Sequence, residues 1–110
     1  MTAAWALSGW SNRDTELQMR WHLASDRKLY WRSWDGETVV YDDLSDDTHY
    51  LEPLAAEIFE TLLARAADTD ALVESVGRSL GLSPDQELRR AVAAVTARLC
   101  QAGLIVERSA

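Results

Sequence analysis

The stretch VVYDDLSDDTHYLEPLAAEIF, Val39–Phe59, decides the fold. Its β-branched start continues the run Thr38–Tyr41, and the acid-rich DDLSDD at 42–47 interrupts that run before a second one at Thr48–Leu51. Asp and Ser side chains bond nearby backbone in Asx-type turns, so the interruption joins two antiparallel strands. Pro53 then suits a first helical position, where the amide hydrogen it lacks would have no partner anyway. Leu54, Ile58 and Leu62 recur every four residues, with Ala55, Phe59 and Leu63 beside them, which gives one apolar face on a helix from Pro53 to Arg65.

Upstream, the aromatic run Leu29–Trp34 ends at Asp35-Gly36, a pair that accepts the positive φ of a tight hairpin. Thr38–Tyr41 therefore returns beside it, and the three runs form an antiparallel meander. Leu17, Met19, Trp21 and Leu23 alternate with Gln18, Arg20 and His22, the period of a further short strand. All five tryptophans, at 5, 10, 21, 31 and 34, fall in the first third of the chain. Strand alternation puts Trp31 and Trp34 on opposite faces, so at least one is expected in the core. Trp5 and Trp10 follow no period, and residues 1–16 read as a tail outside a single domain at 17–110, either flexible or docked on the body or on a second copy in a homodimer.

Downstream, Leu72, Val73, Val76 and Leu80 mark a second helix, capped by Asp68 or Thr69 and ended by Gly81. A third begins with Ser83 as cap, Pro84 at the first position and Gln86 completing a capping box. Leu88, Val92, Val95 and Leu99 draw its apolar stripe, and Gly103 ends it before a terminal strand at LIVE. The class is α+β and winged-helix-like: a three-stranded antiparallel meander, three helices and a short terminal strand.

The chain's 110 residues, 47% of them hydrophobic, suit one domain with a packed core. A net charge of -7 repels phosphate, which argues against a nucleic-acid partner and for a basic one. The single cysteine, Cys100, reads as a small buried hydrophobe in the third helix. Neither a signal peptide nor a membrane span is drawn, so a cytoplasmic protein is expected.

Chemistry-bearing patterns are sparse. Asp42, Asp43, Asp46 and Asp47 with His49 lack the alternating ligands and central Gly of a calcium loop, so a solvated turn is expected and no metal. His22 and His49 lack companions at ligand spacing, and the five glycines are too scattered for a phosphate loop. No catalytic residue and no cofactor is expected, and the chain does not read as an enzyme. The helix order also fits a winged-helix DNA-binding regulator. Its recognition helix, however, offers only Arg89, Arg90 and Arg98 beside Asp85 and Glu87.

The segment VVYDDLSDDTHYLEPLAAEIFETL, with Thr48–Leu51 as strand and Leu54, Ala55, Ala56, Glu57 and Ile58 as helix start, resembles the strand–turn–strand–helix core of PqqD-like proteins. The resemblance extends from about Leu29 to Glu107, and WRSWDGETVVYDDLSDDTHYLEPLAAEI is similar to members associated with HPr-kinase-related systems. It implies the fold of a RiPP recognition element. It also implies a peptide chaperone that binds the leader of a ribosomally made precursor and presents it to a modifying enzyme or an HPr-kinase-related protein. A further alternative is a scaffold subunit of that kinase-related system. The implied contacts are Thr48, His49, Tyr50 and Leu51 on the third strand of the meander, facing the helix Leu88–Leu99. With that helix's stripe serving the core first, its Val92 and the flank Arg89, Ala93 and Thr96 are expected at the groove, Arg89 to pair with an acidic leader residue. Glu52-Pro53 departs from the family's usual Asn or Asp cap.

An added strand satisfies the amides and carbonyls of a sheet edge. Four such bonds contribute about 2–6 kcal/mol, against about 4–15 kcal/mol for lost rigid-body freedom. Apolar pockets must supply the remainder, and the third helix is where the sequence offers them.

Overall fold

The computed structural model describes residues 19–109. Its elements run β1 (Met19–Leu23), β2 (Leu29–Trp34), β3 (Glu37–Asp42), β4 (Asp47–Leu51), α1 (Pro53–Ala64), α2 (Thr69–Leu80), α3 (Gln86–Gln101) and β5 (Ile105–Ser109). The class is α+β, with the expected meander ahead of three helices and a terminal strand. The proposed tail at 1–16, its two tryptophans and Leu17 lie outside the described residues.

Strands β2, β3 and β4 form one antiparallel sheet in that order, and β1 pairs with β5 in a second. The turn between β2 and β3 is Asp35-Gly36 with φ of 50° and 78°, the two positive dihedrals its sequence predicts. A hairpin closed by two residues makes Trp34 and Glu37 a hydrogen-bonded pair, and bonding then alternates along the register. Glu37, Val39 and Tyr41 therefore bond to β2, while Thr38, Val40 and Asp42 bond to Leu51, His49 and Asp47 of β4.

The helices cover the sheet face that carries Thr38 and Val40, both fully buried. The core joins Val40 and Leu51 to Ala55, Ile58, Phe59 and Leu62 of α1, Leu72, Val73 and Val76 of α2, and Leu88, Val92, Val95 and Leu99 of α3. Neither Trp31 nor Trp34 is buried, contrary to the expectation that one would be. They sit on an edge strand, where the inward-facing Trp31 reaches only the rim of the core and meets Phe59 edge-on, centroids 5.8 Å apart. Trp21 packs partly against the core, and its strand is tied to the α1–α2 linker through Trp21 N–H to Ala67 O, 2.8 Å.

Asp68 caps α2 through Ala71 N–H at 2.8 Å, and Gly81 ends that helix in the left-handed region, both as expected. The start of α3 differs. Asp85, not Ser83, is the cap, accepting from Leu88 N–H at 2.9 Å, and the helix begins at Gln86. Residues 82–84 are used in leaving α2, where Leu82 N–H closes onto Gly77 O, and a carboxylate is the stronger acceptor at a helix N-terminus. Leu80, one of the apolar positions that mark α2, is exposed at its last turn, near the exposed Leu82 of the connection. Cys100 is exposed as well, because one residue past Leu99 turns about 100° away from the core stripe.

One buried ion pair holds the turn end of the meander. Asp42 has no accessible surface and accepts from Arg27 Nη1 at 2.7 Å, Leu44 N–H at 2.9 Å and Ser45 N–H at 3.4 Å. The Leu44 bond is the Asx turn that DDLSDD predicts. Burial pushes the Asp42 carboxyl up, but the Arg27 guanidinium and the turn amides outweigh it and hold the group below its ordinary value. The same guanidinium lies where a Cβ on Gly103 would come within 2.9 Å of Nη1, and Gly103 itself has φ of 82°. The β1–β2 linker, the β3–β4 turn and the end of α3 thus meet at one point.

Candidate functional site

The ladder alternation leaves the N–H and C=O of Thr48 and Tyr50 pointing away from β3. Among the described residues no further strand pairs with β4, so the sheet is open there. Side chains alternate across the same strand. His49 and Leu51 share the helix-covered face with Val40 and Thr38, while Thr48 and Tyr50 stand on the outer face. Tyr50 is 57% exposed, and its hydroxyl bonds the Glu37 carboxylate, which with some desolvation raises the phenol above its ordinary value.

Beside this edge lies a cleft of about 290 Å³. Thr48, His49, Tyr50 and Leu51 form one wall, and Arg98, Leu99, Ala102 and Leu104 form the other. The four β4 residues named from sequence are therefore together at one cleft. His49 Nε2 is buried there without a hydrogen-bond partner among the described residues, a condition that costs about 1–3 kcal/mol and that neighbouring packing must offset.

The helical side is assembled differently from the expectation. Val92 and Thr96 are buried, and Thr96 Oγ1 donates to Ala93 O at 2.9 Å. Arg89 bonds Asp70 of α2. None of Arg89, Val92, Ala93 and Thr96 lines the cleft, because the flank carrying Arg89, Ala93 and Thr96 is turned to the other side of the core stripe. The flank beside β4 is Ala91, Ala94, Arg98 and Ala102, spaced by three and four residues. A 100° step per residue would have separated the two flanks from sequence; which of them meets β4 depends on the packing of α1, which no local pattern states.

Arg98 bonds Glu52, the residue between β4 and α1, so two of the three cations counted for a DNA-reading helix are engaged by carboxylates of this chain. A second hollow, of about 580 Å³, opens farther along α3, where Leu54 meets Leu80, Leu82, Leu88 and Ala91. No sequence pattern points to it: Leu80 marks the second helix by its apolar spacing, and that it is exposed beside Leu82 emerges only from the packing. Among the described residues no group of three or more His, Cys, Asp or Glu side chains is placed to hold a metal ion. No described helix is long and apolar enough to cross a membrane.

An open strand margin beside a helical cleft is an arrangement able to take up an extended chain. No protein-family model matches this sequence, and no curated protein does. Among solved structures the fold is similar to that of TbiB1, determined in complex with the TbiA(beta) leader peptide. The match has a TM-score of 0.64 at 12% sequence identity and covers 76% of this chain and 93% of that one. At that identity the likeness is one of fold.

Proposed function

We propose that this protein is a non-catalytic, PqqD-like adaptor of the RiPP recognition element kind, winged-helix-like in form. It captures the leader of a precursor peptide by strand addition at β4 and presents it to a modifying enzyme in the cytoplasm. The observation that carries the reading is the outward-pointing backbone of Thr48 and Tyr50 beside the cleft at Arg98, Leu99 and Ala102. A strand laid there forms four backbone bonds and sends alternate side chains into the cleft, where apolar burial at about 25 cal/mol per Å² adds the affinity that hydrogen bonds alone lack. The fold shared with TbiB1, itself solved with a leader peptide, supports the same reading.

Titration of the isotope-labelled protein with peptides encoded by neighbouring genes tests it. A leader is expected to shift the amides of residues 48–51 and of the cleft flank of α3. Saturable binding that leaves these amides unmoved contradicts the proposal.

A further inference from the structure

The cleft and the hollow open on the same flank of one helix. Arg98 and Ala102 line the first and Ala91 lines the second, while the chain opposite them runs from Thr48 through Glu52 to Leu54. A peptide laid on the β4 edge and continued along this line passes alanines and one cation that lines either opening, Arg98, while the carboxylates Asp85 and Glu87 line the far end of the hollow. Of the other cations of α3, Arg89 is tied to Asp70, and Arg90, exposed one turn before Ala94, lines neither the cleft nor the hollow.

Arg98 spans the line between cleft and hollow by bonding Glu52. Glu52 is the N-cap of α1, yet its side chain makes no capping bond. The two side chains are 55% and 45% exposed, so water screens the pair, and such pairs shift an equilibrium by only about two- to five-fold. This is a contact that an incoming group can exchange.

Resting on the adaptor reading, we infer that Glu52 occupies, in the free protein, the position of a leader carboxylate. Arg98 selects an Asp or Glu where the peptide leaves the β4 edge, and Glu52 is the internal competitor that this residue displaces. A guanidinium beside an extended backbone recognises a carboxylate by charge-assisted hydrogen bonds. Asp85 and Glu87 at the far end of the hollow disfavour an acidic residue there, and because such repulsion is screened beyond about 8 Å at physiological salt, the preference is local to Arg98. Partner chemistry is thereby specified as an extended peptide with one acidic residue at a fixed register.

The test uses a phage-displayed library of random dodecapeptides selected on the full chain, followed by affinities and amide shifts for one selected peptide and its Glu→Gln counterpart. Selected peptides are expected to share an acidic position, and the Gln counterpart to bind several-fold more weakly. Glu52→Gln should tighten the acidic peptide about two- to five-fold and leave its counterpart unchanged. Arg98→Gln, at an exposed position, should keep the amide spectrum of the fold and erase the difference between the two peptides. Selected peptides that move the β4 amides without any acidic preference, or a Glu52→Gln protein that treats both alike, overturn this inference and leave the adaptor reading standing. If no selected peptide moves the β4 amides, both fall together.

Discussion

Asp42 differs from the other acids of its turn, because it is fully buried while Asp43, Asp46 and Asp47 are exposed. Its folded-state pKa is depressed, so its stabilising contribution is complete above the ordinary carboxylate value near about 4 and disappears as pH falls through the lower folded value. Asp42→Asn should therefore lower the thermal midpoint at neutral pH by more than Asp43→Asn does, and should flatten the fall in midpoint below about pH 4. Thermal melts across that range check this; parallel curves for the variant and the natural chain contradict it. Asp42 as a turn-former was legible from the residue types, since an Asx turn needs only a short acceptor beside its own backbone. Its partner was not, because Arg27 lies fifteen residues away with no period linking the two. Cys100 shows the converse: its place in a helical pattern was legible, but one step of that helix carried it out of the core.

Element ends and element faces differ in what they reveal. The start of α3 offers Ser83 and Asp85 as rival caps, and the bond to Leu88 N–H assigns the role to Asp85. Asp85→Ala should cost about 1 kcal/mol of stability, within the range of about 0.5–2 for lost caps, and Ser83→Ala close to none. Denaturant unfolding of the two variants checks this, and equal losses contradict the assignment. On β4 the outward N–H of Tyr50 allows a sharper test of strand addition. Edge strands tolerate proline where the amide points away from the sheet, so Tyr50→Pro should keep the fold and lose peptide affinity. Tyr50→Ala, which removes the side chain alone, should lose less. Comparable losses in the two would assign the effect to the ring and not to the backbone. The strand itself was plain in the sequence; its outward residues follow only once the hairpin register is known.

At the scale of the whole molecule, the meander has two margins of unequal character. Along β2, Trp31 fills the space beside α1 by meeting Phe59, so that margin adjoins an aromatic contact. Along β4, the neighbouring helix flank is largely alanine, which leaves the cleft and the hollow open. Strand order, helix order and the β4 residues were legible because period and turn chemistry are local. The pairing of β1 with β5 and the choice of α3 flank were not, because they arise when the helices pack across the sheet. The exposed acidic turn keeps the far end of the open margin charged, which discourages pairing between copies. The central claim is that an extended peptide becomes the fourth strand of this sheet, beside β4. Isotope-filtered cross-strand contacts between the α-protons of a bound leader and the protein measure it most directly. The account predicts contacts to residues 48–51 in a regular ladder, with alternate peptide side chains near Leu99 and Ala102; a ladder along Leu29–Trp34, or a bound peptide with no strand contacts at all, would contradict it.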